Sequence, residues 1–171
     1  PRSGIIQLKP KANSQGLSDL GVGNGPASVM NAVSAGTVKG MIILGEDPKG
    51  SDFDATELAK LDFLVVQDTH LTETALAADV VLPGVSFVES SGSFTSSERR
   101  IQFLEQAIPA LTNMDNYDVI VSIIESFVNE SDFCCPECTF EDIVRTVEEY
   151  KGVDPEQDNL CFWPVDARVF Y

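Results

Sequence analysis

The sequence predicts an α/β protein with a doubly wound, mainly parallel, Rossmann-like sheet, followed by an acidic helical extension. Short apolar runs alternate with helical stretches in the first part of the chain, which is typical of βαβ crossovers. The runs are hydrophobic at consecutive positions, which indicates strands covered on both faces. Positions 1–104 carry 12 acidic and 8 basic residues, whereas positions 105–171 carry 15 and 3. We therefore expect an α/β domain over residues 1–104 and an acidic helical extension and tail over residues 105–171.

Four apolar runs predict the strands of the sheet, at residues 4–8, 40–44, 63–66 and 80–82. Helical segments are predicted between them, at residues 27–35, 54–61 and 72–78. Serines and a glycine over residues 89–102 predict a loop or a loose hairpin. Amphipathic spacing predicts a helix at residues 117–128 and a second helix that Thr139 caps, with Ile143, Val144 and Val147 facing inward.

The composition excludes several classes of protein. With 171 residues, 43% of them hydrophobic, the chain is long and apolar enough to bury a sizeable core. Its formal charge of −16 opposes binding to a nucleic acid, which requires a cationic surface. No apolar run is long enough to span a membrane. Because the first residue is a proline, we expect an internal fragment of a longer protein, which we expect to be cytoplasmic.

Polar residues follow three of the predicted strands and suit a nucleotide-like ligand. In a parallel sheet the carboxyl ends of the strands meet at one edge, where ligands bind. Glycines there allow a close approach of the backbone, and a carboxylate can accept two hydrogen bonds from a ribose diol. Any one of these loops alone is typical of an ordinary turn, but three together favour a binding site. The candidate residues are Asn13, Ser14, Gln15 and Gly16, then Gly45, Glu46, Asp47 and Ser51, then Gln67 and Asp68.

No catalytic residue and no metal ligand is predicted. The sequence contains neither a phosphate-binding loop of the Gly-x-x-x-x-Gly-Lys type nor a Gly-x-Gly-x-x-Gly motif. The single histidine, His70, is predicted to lie at the surface. Cys135 and Cys138 form one Cys-x-x-Cys pair, whereas a structural zinc site normally needs two pairs. We expect these cysteines, with Cys134 and Cys161, to be reduced thiols.

Four segments of the chain resemble one protein family. They are Ala12-Asn13-Ser14-Gln15-Gly16-x2-Asp19-x-Gly21, Leu44-Gly45-Glu46-Asp47-Pro48, Val65-Val66-Gln67-Asp68-x3-Thr72-x-Thr74-Ala75-x2-Ala78-Asp79-Val80-Val81-Leu82-Pro83 and Glu89-x2-Gly92-x-Phe94-x3-Glu98-Arg99-Arg100-x-Gln102. In this order they resemble the molybdopterin oxidoreductases. The likeness is greatest to formate dehydrogenase catalytic subunits and to the large iron–sulfur subunit of NADH–quinone oxidoreductase.

The resemblance implies that this segment binds one guanine dinucleotide of a pterin cofactor that carries molybdenum or tungsten. It implies that Asp47 and Ser51 lie near the phosphates and ribose, and that Gln67 and Asp68 meet the nucleoside. Residues 13–16 would approach the cofactor from the first loop. Two residues depart from the family pattern: Gly84 replaces a common hydroxyl residue and His70 a common apolar one.

The resemblance also implies partners, which are the remaining domains of the parent chain and other electron-transfer subunits. By itself the fragment is expected to be inactive and to hold neither cofactor nor metal. The alternative is a structural domain without cofactor, as in an iron–sulfur subunit that resembles the one of NADH–quinone oxidoreductase. The polar loops favour the binding role over this alternative.

Overall fold

A computed structural model of the chain describes residues 7–22, 25–50, 56–128, 133 and 135–153. The described residues divide into two compact units. One unit takes its residues from the ranges 1–23, 87–109 and 117–171, and the other from 24–86 and 110–116. This grouping by contacts differs from the division after residue 104 that charge and hydropathy predict. That residues 1–104 form a separate domain stays a prediction.

The unit built from residues 24–86 and 110–116 contains the parallel sheet, and the predicted α/β class is confirmed. Its strands are β1 (Gly40–Leu44), β2 (Phe63–Asp68) and β3 (Val80–Pro83), in the order β1-β2-β3. Ile43 lies beside Val66, and Val66 beside Val81. Three of the four predicted strands are therefore present. The fourth, at residues 4–8, lies mostly outside the described residues, and its last two positions are not in a strand.

One face of this sheet is covered, and it holds the core of the unit. The helix α2 (Pro26–Ser34) begins at a proline and ends before Gly36, whose φ of 70° is favourable for glycine. Short 3-10 helices at Thr56–Lys60 and Ala75–Ala77 stand where longer helical segments are predicted. The residues buried together on this face are Met30, Ile43, Leu58, Leu64, Val66 and Ala75.

The opposite face of the sheet is largely exposed. The side chains of Ile42, Leu44 and Phe63 are 46%, 42% and 50% exposed, although all three lie in strands. The described residues thus cover one face of β1, whereas its uninterrupted apolar sequence predicts two covered faces. Double winding of the sheet stays a prediction.

The other unit is built on a hairpin and a helix. The strands β4 (Gly92–Thr95) and β5 (Ile101–Leu104) pair antiparallel, so of the two predicted possibilities, a loop or a loose hairpin, the segment forms the hairpin. The helix α4 (Pro136–Thr146) packs Phe140 against Phe103, with ring centroids 5.1 Å apart and the planes nearly perpendicular. Ile101, Phe140, Tyr150 and Val153 are buried together, and Ile143, Val144 and Val147 pack against them as predicted.

Three predictions about local structure in this unit are corrected. Residues 14–16 do not lie in a loop, because they begin the helix α1 (Ser14–Asp19). The helix α3 (Asn116–Glu125) stops three positions before its predicted end. Thr139 does not cap α4, which begins earlier because Pro136 presets the first helical φ and Cys135 is the N-cap. No helix among the described residues is long and apolar enough to cross a membrane.

Candidate functional site

The loop that follows β1 is fastened to the segment between β2 and β3. The Asp47 carboxylate accepts two hydrogen bonds at Oδ1, from the backbone N–H of Thr74 at 2.9 Å and from the Thr74 hydroxyl at 2.6 Å. The Thr74 hydroxyl in turn accepts from the Lys49 N–H at 3.0 Å. Hydrogen bonding from the Thr74 hydroxyl lowers the pKa of the Asp47 carboxyl below its usual value, against the opposing effect of burial. Asp47 is therefore committed to holding two loops together.

The glycines of this loop have distinct roles. Gly45 has a φ of 62° and donates its N–H to the Gln67 carbonyl at 2.8 Å. Apart from Gly45 and its two chain neighbours, no atom of the described residues lies within 4 Å of the position that a Cβ on Gly45 would take, so a ligand could approach its backbone closely. A Cβ on Gly50 would lie 1.9 Å from the Asp47 carboxylate, so a side chain there would displace that carboxylate. Ser51, the last predicted site residue of this loop, lies outside the described residues.

Asp68 ends β2 and closes a tight turn. Its Oδ1 accepts from the His70 N–H at 3.0 Å and lies 3.4 Å from the Thr69 hydroxyl. Within the described part of the chain, Oδ2 of Asp68 makes no hydrogen bond. His70 is exposed, as predicted, and its Nδ1 lies 2.8 Å from the Thr69 hydroxyl. Half of the Asp68 carboxylate thus serves the turn, and the other half can accept a hydrogen bond from a ligand.

Gln67 is a buried residue of this strand end, with 3% of its surface exposed. Its Nε2 donates to Oδ1 of Asn116 at 3.1 Å. Asn116 also accepts from the Val85 N–H and donates to the Val85 carbonyl, both at 3.0 Å. The Gln67 amide therefore supports the chain that follows β3, a pairing that brings together residues 49 positions apart.

Gly84 gives a physical reason for one departure from the family pattern. Its N–H donates to the Asp68 carbonyl at 2.8 Å, so the ends of β2 and β3 are held close together. A Cβ on Gly84 would lie 2.9 Å from the carbonyl carbon of Asp68, which leaves no room for a side chain. In this chain the backbone contact takes the place of a hydroxyl residue.

The predicted site residues 13–16 belong to the unit that carries the hairpin. Oδ1 of Asn13 accepts from the Thr95 N–H at 2.9 Å, and a Cβ on Gly16 would lie 2.4 Å from that same oxygen. Nε2 of Gln15 donates to Oδ1 of Asp19 at 2.7 Å. Asn13 and Gln15 therefore organise α1 and its contact with β4.

Within the unit that contains the sheet, the structure brings together two of the predicted loops. Leu44 pairs with Gln67, so the loop from Gly45 to Gly50 and the turn at Asp68 share the carboxyl edge of the sheet. Two residues of this region were not predicted from the sequence: Thr74, which fastens the loop after β1, and Asn116, which joins Gln67 to the chain after β3. Thr74 lies inside the family segment, which was a usable signal, whereas nothing local marks Asn116.

A second polar cluster lies in the hairpin unit. Asp19, with 4% of its side chain exposed, pairs with Arg99 at 3.1 Å, and its Oδ2 is buried without a hydrogen bond in the described structure. Burial raises the pKa of Asp19, against the hydrogen bond from Gln15 and the charge of Arg99. The Tyr150 hydroxyl lies 2.8 Å from the buried Thr95 hydroxyl. No group of three or more potential metal ligands occurs among the described residues.

Comparison with known proteins assigns the family. The model of the molybdopterin oxidoreductase family matches residues 4–126. The chain belongs to the molybdopterin oxidoreductase family. It is 36% identical over 140 residues to the F420-dependent formate dehydrogenase subunit alpha of Methanocaldococcus jannaschii, a match that covers 77% of this chain and 21% of that relative.

Two further relatives are putative formate dehydrogenases. The protein of Staphylococcus haemolyticus is 32% identical over 205 residues, covering 96% of this chain and 21% of that relative. The protein of Bacillus subtilis is 45% identical over 87 residues, covering 48% of this chain and 9% of that relative. The chain therefore spans about a fifth or less of the length of these relatives.

Proposed function

We propose that this chain is the part of a formate dehydrogenase-like oxidoreductase that helps to bind a pterin guanine dinucleotide carrying molybdenum or tungsten. The observation that carries the proposal is the arrangement at the carboxyl edge of the sheet. There the available oxygen of Asp68 ends β2, and the open backbone at Gly45 follows the neighbouring strand β1. This is the edge at which α/β sheets bind nucleotides.

The chemistry of this edge fits the nucleoside end of the cofactor. Oδ2 of Asp68 is a charged acceptor for a ribose diol or a guanine N–H, and Gly45 and Glu46 are exposed beside the same strand ends. When bound, the cofactor would supply the metal-centred redox chemistry of the intact enzyme, and this chain would hold its nucleotide. Ser51 and residues 13–16 complete the proposed contact set, as the family resemblance implies.

Asp47 and Gln67 are assigned a positioning role in this proposal. Asp47 holds the loop after β1 against Thr74, and Gln67 holds the segment after β3 through Asn116. Both side chains keep the strand ends in place, and a nucleotide would meet Asp68 and the backbone of the loop.

The proposal extends to the intact protein. Its partners would be the remaining domains of the parent chain and other electron-transfer subunits, with no nucleic acid and no membrane insertion. We place this protein in the cytoplasm and expect the isolated chain to be inactive without the other domains.

The substitution Asp68→Asn in the intact protein tests the binding role. The asparagine Oδ1 can still accept from the His70 N–H, so the turn is retained while the second acceptor oxygen is lost. Loss of such a hydrogen bond weakens binding by about 1–3 kcal/mol, or roughly one to two decades of affinity. We expect less pterin guanine dinucleotide and less molybdenum or tungsten per protein, with an unchanged melting temperature.

Asp62→Asn is the matched control, because Asp62 is an exposed aspartate immediately before the amino end of the same strand. It should leave cofactor content unchanged. Full loading of Asp68→Asn would refute the binding role of Asp68.

A structural domain without cofactor is the second candidate, and a specific observation favours it. Asp47 and Gln67, two of the most polar groups of the predicted site, are committed to hydrogen bonds within the fold. A scaffold would keep these contacts without any nucleotide. Intact wild-type protein that contains no pterin after expression with molybdate and tungstate would support this candidate.

A further inference from the structure

Two cysteines meet at the start of α4. Cys135 is the N-cap of this helix, and Cys138 lies in its first turn. Their sulfur atoms are 3.0 Å apart, and the Cys138 N–H donates to Sγ of Cys135 at 3.3 Å. Both residues are half-buried, so a small reagent can reach them. The family function described above uses neither thiol.

The number of nearby ligands favours a disulfide over a metal site, because structural zinc takes four ligands and no group of three or more potential metal ligands occurs among the described residues. Two thiolates on one tetrahedral zinc ion, each at about 2.3 Å, are separated by roughly 3.8 Å. A disulfide bond is about 2.05 Å long. The observed 3.0 Å lies between these two values, and closing the bond requires each sulfur to move by about half an ångström.

The local backbone holds this geometry in the thiol form. The Cys135 carbonyl accepts from the Tyr117 hydroxyl at 3.1 Å and from the Thr139 hydroxyl at 3.2 Å. Pro136 restricts φ at the position between the cysteines where the helix begins. The turn that joins the two sulfurs is therefore formed before any oxidation.

The helix also favours nucleophilic attack by Cys135. The backbone N–H of Cys138, in the first turn of the eleven-residue α4, points at Sγ of Cys135. The geometry assigns Cys135 as the attacking thiol and Cys138 as the resolving thiol.

We propose that Cys135 and Cys138 form a reversible dithiol–disulfide site that exchanges with low-molecular-weight disulfides such as oxidised glutathione. The Cys135 thiolate attacks one sulfur of the reagent, forms a mixed disulfide and releases one thiol. Cys138 then loses its proton and attacks Sγ of Cys135, which releases the second thiol. The protein loses two electrons and two protons, and the reagent gains both.

Peptide mapping tests this site in the intact protein, because the sequence offers a convenient cleavage. No lysine or arginine lies between Arg100 and Arg145, so trypsin releases residues 101–145 as one peptide. In the variant Cys134→Ser this peptide contains only Cys135 and Cys138. The native variant is equilibrated with glutathione at fixed ratios of oxidised to reduced form, quenched with acid, alkylated and digested.

We expect the peptide to convert reversibly between a doubly alkylated form and an internal disulfide that is about 2 Da lighter than the dithiol. The native protein should form this disulfide at a ratio of oxidised to reduced glutathione that is at least about tenfold lower than the ratio needed in urea, because the fold holds the sulfurs in contact.

The variant Cys135→Ser is the matched control, since it keeps two cysteines, Cys134 and Cys138, in the same peptide. It keeps the helix cap, because serine is a good N-cap residue. It should need a ratio of oxidised to reduced glutathione at least about tenfold higher than Cys134→Ser to form its internal disulfide. The proposal is overturned if Cys134→Ser yields only glutathione adducts, if its native and urea-unfolded forms close equally well, or if its thiols carry stoichiometric zinc.

Discussion

Thr74 is the residue whose replacement best tests how the two loops at the sheet edge are joined. It is fully buried, its hydroxyl donates to Asp47 at 2.6 Å, and the same hydroxyl accepts from the Lys49 N–H at 3.0 Å. Thr74→Val keeps the shape of the side chain and removes both hydrogen bonds. Thr74→Ser keeps both hydrogen bonds and removes one buried methyl group.

The two substitutions should differ in their effect on the free energy of unfolding. Loss of a buried hydroxyl that makes two hydrogen bonds costs about 1–3 kcal/mol. Loss of one buried methyl group costs about 1 kcal/mol. For a chain of this length each kcal/mol lowers the melting temperature by roughly 2–4 °C, so Thr74→Val should melt about 2–12 °C below wild type. The melting temperature of Thr74→Ser should lie between those of wild type and Thr74→Val.

Urea denaturation at pH 7 measures the free energies of unfolding of wild type and the two variants. The same experiment between pH 6 and pH 2.5 tests whether the difference depends on the ionised Asp47 carboxylate. Because folding lowers the pKa of Asp47, its carboxylate stabilises the fold at a pH above its pKa in the unfolded chain, about 3.9. This stabilisation is lost as the pH falls through its pKa in the folded protein. The difference between wild type and Thr74→Val should therefore narrow below about pH 4. The reasoning would be refuted if Thr74→Val were at least as stable as Thr74→Ser. It would also be refuted if the difference in the free energy of unfolding between wild type and Thr74→Val did not change with pH.

Two further substitutions test contacts elsewhere in the fold. Gly84→Ala should lower the free energy of unfolding by about 1–3 kcal/mol, because its Cβ would lie 2.9 Å from the carbonyl carbon of Asp68. In Gly40→Ala the nearest atom lies 3.8 Å from the new Cβ, so the same denaturation experiment should show a smaller loss; equal losses would contradict the steric argument. Asp19→Asn should gain stability relative to wild type as the pH rises from about 3 to 7, because the raised pKa of Asp19 makes its ionisation unfavourable to folding. A stability difference that stays constant over this range would show that Asp19 ionises without cost.

The strands and the family are features that the sequence alone could predict. Uninterrupted apolar runs at 40–44, 63–66 and 80–82 became β1, β2 and β3, because burial of a strand depends on its own side chains. The hairpin around Phe94 and the inward face of α4 followed from equally local patterns. Ends of elements were less well predicted, since the start of α4 depends on a single capping contact at Cys135 and the N-cap of α1, Asn13, makes no side-chain capping hydrogen bond.

The use of each polar side chain could not be predicted from local sequence. A carboxylate or amide at a strand end can face a ligand or bind within the fold, and its sequence context is the same in both cases. The structure decides between them through partners that are distant in the chain. Asp47 meets Thr74 across 27 positions, Gln67 meets Asn116 across 49, and Asn13 meets Thr95 across 82.

By itself, then, the sequence determined where the parallel strands lie and to which family the chain belongs, because both are written in contiguous residues. Only the tertiary structure decided that Asp68 keeps an available oxygen, while the Asp47 carboxylate and the Gln67 amide nitrogen make hydrogen bonds within the fold. It also brought the sulfur atoms of Cys135 and Cys138 into contact, through a helix start that the sequence placed at Thr139. The physical reason is that a hydrogen bond or a sulfur contact depends on atoms within about 3–4 Å, and folding alone sets which atoms those are.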